Sequence, residues 1–390
     1  MMTRSSPMGR RLRGGIVGGG RGAFIGAIHR IAAELDGQAL VVAGAMSADP
    51  ATAHLSAKDW LLERSYGSYV EMARTESERV DGIDFVIVAT PNDLHVPVAR
   101  VFLEAGIHVI CDKPLARSLE EGRQLEQVLA GSECLFALTH AYTGYPMVRE
   151  ARHMVADQQL GKIRKVLVEY QQDWLMQPLE AGGQKQATWR TDPARAGLGG
   201  SLGDIGTHAA NLLEFICGTS IDSLCADLSS WVEGRRLDDD AHVLLRLANG
   251  AKGILLCSQV ACGEANNLNI RVYGTEGSIE WHQEEPNVLL HKTAGGPIRA
   301  LRAGTACLSD GSRSISRTPA GHPEGYIEAF ATIYRAFLND IRRRASGEPV
   351  LSDYPSIAEG LAGLRFVAQA VKSGALGAQW ISMNESKAAR

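Results

Sequence analysis

The chain has 390 residues, room for two domains of ordinary size, and its 45% hydrophobic and 22% charged side chains exclude a disordered or fibrous protein. Forty basic against forty-four acidic residues leave a formal charge of -4, which excludes general attraction to nucleic-acid backbones or anionic lipid as the main activity. Forty-two glycines, well above average usage, are spread along the chain and suggest backbone positions that need positive φ or close approach to a ligand.

Residues 1–11 read as a loose tail. Arg4, Arg10, Arg11 and Arg13 imitate the basic start of a secretion signal, but residues 18–22 (GGGRG) break the apolar run that such a signal needs. From 12 to 145, short apolar runs (12–17, 39–45, 83–89, 107–110 and 135–138) alternate with helical patterns near 24–35, 68–78, 94–105 and 118–130. That alternation predicts βαβ units and a doubly wound parallel sheet, a Rossmann-type α/β domain. From 146 to 390 the texture changes. Strand-like segments at 165–174, 241–247, 253–259, 268–273 and 278–281 follow one another closely, which predicts a large, mostly antiparallel open sheet. Helices are expected at 202–217, 325–343 and 355–372, and residues 293–318 as an exposed loop. The acidic run Asp238, Asp239 and Asp240 is expected to be a solvated turn.

Seven cysteines without a CxxC pair indicate neither a disulfide framework nor a zinc site and suit a reducing cytoplasm. No apolar stretch reaches membrane-spanning length. No metal site is expected.

The turn after the first predicted strand, GGIVGGGRGAFIGAIH, places Gly18, Gly20 and Ala23 in a GxGxxG/A pattern, with Arg21, Phe24 and Ile25 completing the turn around a dinucleotide. Main-chain N–H groups at a helix start can hold a pyrophosphate there. At the end of the second strand, Ser47 can reach the ribose, and no cation follows to favour a 2'-phosphate; NAD is therefore expected over NADP. The next two strand ends, Thr90, Pro91, Asn92 with His95, and Asp112, Lys113 with Pro114, would border the same cofactor. In GGSLGDIGTH, Asp204 and His208 stand four apart on a predicted helix and share a face, a carboxylate beside an imidazole suited to proton transfer.

The ordered set GGGRGAFIG, TPNDLH, CDKP, Trp189-Arg190 and GGSLGDIGTH resembles the Gfo/Idh/MocA family over nearly the whole chain. The resemblance implies a nicotinamide-dependent oxidoreductase, a Rossmann domain followed by an open-sheet domain, and homodimers or homotetramers formed through that sheet. It makes Lys113, Asp204 and His208 the catalytic residues and places Asp112 on the nicotinamide ribose. Trp189 and Arg190 would approach the cofactor from the second domain. Two departures stand out: the glycine turn is longer than usual, and Asn211 stands where many members carry aspartate.

The expected substrate is a sugar, sugar derivative or inositol oxidised at a secondary hydroxyl. Tyr142, Tyr145, Trp174, Gln184, Lys185, Arg190 and His322 are candidates to surround it, together with Lys113, Asp204 and His208. An alternative from the same constellation is a glycosidase using transient oxidation by NAD, elimination, hydration and re-reduction. A binding protein without catalysis is a third reading.

Overall fold

The computed structural model describes residues 7–384. They form two compact units. The first takes the chain up to Ala141 together with Ile327–Leu361, and the second takes Tyr142–Tyr326 and the chain from Ala362 onward. A single boundary near 145 does not capture that return of the chain.

In the first unit, the elements in order are β1 (Leu12–Gly18), α1 (Ile25–Leu35), β2 (Ala39–Ala45), α2 (Pro50–Asp59), β3 (Arg64–Ser65), α3 (Tyr69–Glu78), β4 (Phe85–Ala89), α4 (His95–Glu104), β5 (His108–Cys111), α5 (Leu119–Ala130) and β6 (Phe136–Leu138). The strands lie in the order β3-β2-β1-β4-β5-β6, all parallel. Parallel neighbours need crossover helices, and with helices on the faces β4 is buried throughout, hence its uninterrupted apolar run. The order reverses between β1 and β4, which opens a crevice at their carboxyl ends. Helix Tyr326–Ala345 adds to this core, with Phe337 edge-on to Phe85 at 6.4 Å.

The second unit begins with α6 (Pro146–Ala156), β7 (Lys165–Gln171), α7 (Lys185–Arg190), α8 (Pro193–Ala196), α9 (Thr207–Cys217) and β8 (Ile221–Ser229). It continues with β9 (Asp240–Leu247), β10 (Lys252–Ser258), β11 (Asn267–Tyr273), β12 (Gly277–His282), β13 (Val288–Thr293), β14 (Ile298–Arg302), α10 (Asp310–Ile315) and β15 (Ile381–Ser382). Nine strands form one sheet in the order β14-β13-β12-β11-β7-β10-β9-β8-β15. Its pairs are antiparallel except β7 with β10. Alternation of buried and exposed residues, clearest in β9, marks one face as packed, and α9 lies on β7, β10 and β11.

Three expectations are corrected. Residues 293–318 are not one loop: β14 pairs with β13 and α10 follows, but β14 is largely exposed on both faces and so shows no period. Of the tail, residues 1–6 lie outside the described residues. Arg10 is anchored, its guanidinium paired to both Asp84 oxygens at 2.7 and 2.8 Å. Nor is the acidic run a solvated turn. Asp239 is buried and accepts from the main-chain N–H groups of Trp231 and Val232 at 2.8 and 3.0 Å, while Asp238 is bonded to residues 200–202.

Of the seven cysteines, Cys111, Cys134, Cys217 and Cys257 are buried, Cys225 is half-buried, and Cys262 and Cys307 are exposed. Among the described residues no helix is long and apolar enough to cross a membrane.

Candidate active site

In the first unit the site starts where β1 runs out. Gly18 and Gly19 have φ of +78° and +67°, and a Cβ on Gly18 would come within 2.6 Å of the Ala89 carbonyl oxygen, so only glycine fits this turn. Gly20 is as tightly placed, its hypothetical Cβ 2.6 Å from the Met46 carbonyl oxygen at the tip of β2. Ala23 N–H closes the turn on the Gly20 carbonyl at 3.0 Å. Helix α1 then begins at Ile25 without a side-chain cap from Phe24, itself 66% exposed, and without an acidic residue in its first turn. An uncapped helix start behind a glycine turn suits a pyrophosphate, which accepts from main-chain N–H groups and is favoured by the helix dipole. These residues fit a dinucleotide. Arg21 lies in the same turn, and its guanidinium meets Asp59 at 2.6 and 2.9 Å.

Beyond β2, Ser47 Oγ accepts from Asp49 N–H at 3.1 Å, while Asp49 caps α2 by accepting from Thr52 N–H at 2.8 Å. The loop after β4 carries Thr90, Pro91 and Asn92. Thr90 Oγ1 is buried without a hydrogen-bonding partner in the protein, the kind of group a bound ligand can satisfy. His95, expected to line the cofactor, instead spends both ring nitrogens within the protein. Nδ1 lies 2.6 Å from the Pro114 carbonyl oxygen and Nε2 lies 2.9 Å from that of Thr90, so the ring ties the loops after β4 and β5 together. Burial pushes its pKa down.

Asp112 and Lys113 follow β5, and both are partly accessible. Asp112 Oδ1 accepts from Thr139 Oγ1 at 2.9 Å and lies 3.7 Å from Nε2 of the buried His29, whose Nδ1 meets the Tyr334 hydroxyl at 2.7 Å. Burial pushes the Asp112 carboxyl up, but His29 and then Lys113 outweigh it and hold the group well below the usual carboxylate range. His140 is pushed down to about 4 by burial and by the Lys113 charge. Sequence reasoning missed His29, Tyr334 and His140, which carry no motif.

In the second unit, Asp204 sits in a wide helical turn over Leu202–Gly206, where Thr207 N–H reaches back five residues to the Leu202 carbonyl before α9 continues. Its Oδ2 accepts from Gln259 Nε2 at 2.9 Å and Arg190 Nε at 3.2 Å. The Arg190 guanidinium lies 4.1 Å above the Trp189 ring and 5.9 Å from that of Trp174. From Gln259 a row of uncharged groups runs on. Gln259 Nε2 is 3.5 Å from Gln172 Oε1, which also accepts from Trp174 Nε1 at 3.1 Å, and Gln172 Nε2 donates to Asn266 Oδ1 at 2.8 Å. The Tyr170 hydroxyl donates to the same Asn266 oxygen at 2.7 Å and meets the Tyr142 hydroxyl. Tyr142 brings the row back to His208, with ring centroids 4.8 Å apart. His208, Tyr142 and Tyr145 are all buried.

Asp204, His208, Arg190, Trp174, Trp189, Tyr142 and Tyr145 are thus gathered in one region of the second unit. Three other candidates are not. Gln184 caps α7 by accepting from Ala187 N–H at 2.6 Å, Lys185 is exposed, and His322 is exposed in a turn with Nδ1 3.3 Å from the Pro319 carbonyl oxygen. Missed were Tyr170, Gln172, Gln259 and Asn266. Gln172 and Gln259 follow directly on β7 and β10, whose parallel register sets their ends side by side. The legible signal was a polar residue closing each of two apolar strands.

A model of an oxidoreductase family with an NAD-binding Rossmann fold matches residues 12–140, and one of the Gfo/Idh/MocA C-terminal domain matches residues 148–280. The chain is 33% identical to the uncharacterized oxidoreductase YfiI of Bacillus subtilis, over 98% of this chain and 99% of the relative. Among solved structures it resembles an inositol dehydrogenase homologue from Azotobacter vinelandii complexed with NAD+, at 36% identity and TM-score 0.92 over 98% of this chain and 100% of that one. It also resembles levoglucosan dehydrogenase in complex with NADH and levoglucosan, at 26% identity and TM-score 0.82 over 96% and 99%. Matched in both halves and along its length, the chain belongs to the Gfo/Idh/MocA family of NAD-binding oxidoreductases.

Proposed function

We propose that the protein is a cytoplasmic, homo-oligomeric NAD-dependent dehydrogenase. It transfers hydride between the nicotinamide and a carbon bearing a secondary hydroxyl of a sugar, sugar derivative or cyclitol. The observation that carries this reading is the pairing of Asp204 and His208 with an uncharged row of amides and phenols, groups suited to the hydroxyls of a polyol. The two structural relatives named above, one an inositol dehydrogenase homologue and the other bound to levoglucosan, support that substrate class.

Bound at the glycine turn, NAD supplies the hydride acceptor. His208 takes the proton of the reacting hydroxyl, and Lys113 acts as a donor that stabilises developing negative charge. Asp204, held by Gln259 and Arg190, orients the substrate. Asp112, with Oδ1 engaged by Thr139, offers its other oxygen to the nicotinamide ribose.

The test is incubation of the protein with NAD and with NADP across sugars, anhydrosugars, inositols and glycosides, following both nicotinamide absorbance and released sugar. Net NADH from a polyol is expected; sugar release without NADH would replace the reading by the glycosidase. Lys113→Ala and His208→Ala should each lower turnover about 100-fold or more with NAD affinity largely intact. Undiminished turnover in both variants would remove these assignments.

A further inference from the structure

We infer that Asp238 is a positioning residue for this reaction, acting through the backbone that carries Asp204 and His208; the inference rests on the proposed dehydrogenase reading. Asp238 lies in the connection before β9, more than thirty residues after the segment it holds. Its Oδ1 accepts from Gly200 N–H at 2.7 Å, and its Oδ2 accepts from Leu202 N–H at 2.7 Å and Ser201 Oγ at 2.8 Å. Its own carbonyl accepts from Ser201 N–H at 2.8 Å. Four hydrogen bonds therefore fix three consecutive residues at the start of the helical stretch, where N–H groups have no partner within the helix.

The fixing reaches the site by a short route. Gly200, held by its N–H, accepts at its carbonyl from Asp204 N–H at 2.9 Å. Leu202, also held by its N–H, accepts from Thr207 N–H, the residue before His208. One carboxylate thus sets the register of both functional side chains, through Gly200 for Asp204 and through Leu202 and Thr207 for His208. The contact is too close for any other residue at position 200, where a Cβ would lie 2.0 Å from the Asp238 carbonyl oxygen.

The wide turn makes this dependence acute. A turn closed by a bond to the fifth residue back competes with an ordinary α-helical turn. A shift between them would rotate Asp204 relative to His208. Asp238 accepts from N–H donors and a hydroxyl, so a carboxylate fits where an amide does not: Asn would turn an NH2 group toward a donor.

The test compares Asp238→Asn and Ser201→Ala with the parent protein. NAD binding is titrated first, by nicotinamide or protein fluorescence, to count competent chains. Per competent chain, Asp238→Asn should lose about 100-fold in kcat, the scale of a misplaced reacting group. Ser201→Ala, which removes one of the four bonds, should lose less. In both, the deuterium isotope effect from substrate labelled at the reacting carbon should rise as the chemical step becomes limiting. A purely architectural role would lower the number of competent chains and leave the isotope effect and kcat per competent chain unchanged, and that result overturns the inference. If Asp238→Asn does not fold, Ser201→Ala decides by the same readings. If the parent protein oxidises no polyol, the dehydrogenase reading fails by itself. Amide hydrogen exchange across residues 200–208 then decides about Asp238: faster exchange in Ser201→Ala supports its hold on the segment, and unchanged exchange overturns it.

Discussion

Arg21 stands in the glycine turn with its main-chain N–H 3.2 Å from Ser56 Oγ on α2, while its guanidinium is engaged by Asp59 at the end of the same helix. A cation beside the tip of β2 could serve a 2'-phosphate; one already facing a carboxylate does so at a disadvantage. Asp59→Asn should therefore raise the affinity for NADP relative to NAD by roughly 5-fold, measured by fluorescence titration with both cofactors. An unchanged ratio would dissociate Arg21 from cofactor choice. His140 gives a second prediction at this scale. Its pKa is depressed in the folded protein to about 4, so between that value and the usual one near 6.5 the unfolded chain binds more protons. The stability it supports is present above about pH 6.5 and is lost as pH falls toward 4. Linkage puts the loss from pH 7 to pH 5 at about 2 kcal/mol for this one group. In His140→Asn, denaturant unfolding at the two pH values should show that much less difference; an equal slope would refute the assignment. Asp204 and His208 were legible because GGSLGDIGTH puts them in one short motif. Tyr170, Gln172, Gln259 and Asn266 were not, because their meeting depends on which strands become neighbours.

Helix α1 meets β1 through two glycines. A Cβ on Gly26 would lie 2.4 Å from Cα of Gly19, a distance no side chain tolerates, so Gly26 lets the helix start close enough to the turn for its N–H groups to face a phosphate. Gly26→Ala should push the helix outward and weaken NAD binding by about 10-fold or more, and with it the rise in melting temperature that saturating NAD gives the parent protein. Wild-type NAD affinity in this variant would contradict the packing argument. At this scale the sequence was most informative where burial imposes a period: the uninterrupted apolar run of β4 and the alternation of β9 could be seen directly. It was least informative for β14, exposed on both faces, and for α2, which buries only Ala53, Ser56 and Ala57. The order of motifs predicted both sheets, yet the parallel pairing of β7 with β10, which sets Gln172 beside Gln259, has no local signature.

At the scale of the whole molecule, the feature hidden from the sequence is the return of Ile327–Leu361 to the first unit. Helical periodicity located the helix but not the sheet it would cover, since Phe337 can bury itself against any apolar surface and only the fold selects Phe85. The distribution of thiols now has a practical use. A maleimide should tag Cys262 and Cys307 rapidly on the native protein, because these two are exposed. Cys111 and Cys134 are sealed in one unit, and Cys217 and Cys257 in the other. Mass-spectrometric footprinting during chemical denaturation should then yield two separate clocks, one for each unit. Tagging of all four sealed sites at a single rate would mean that the units open together, and tagging of them in the native protein would contradict their burial.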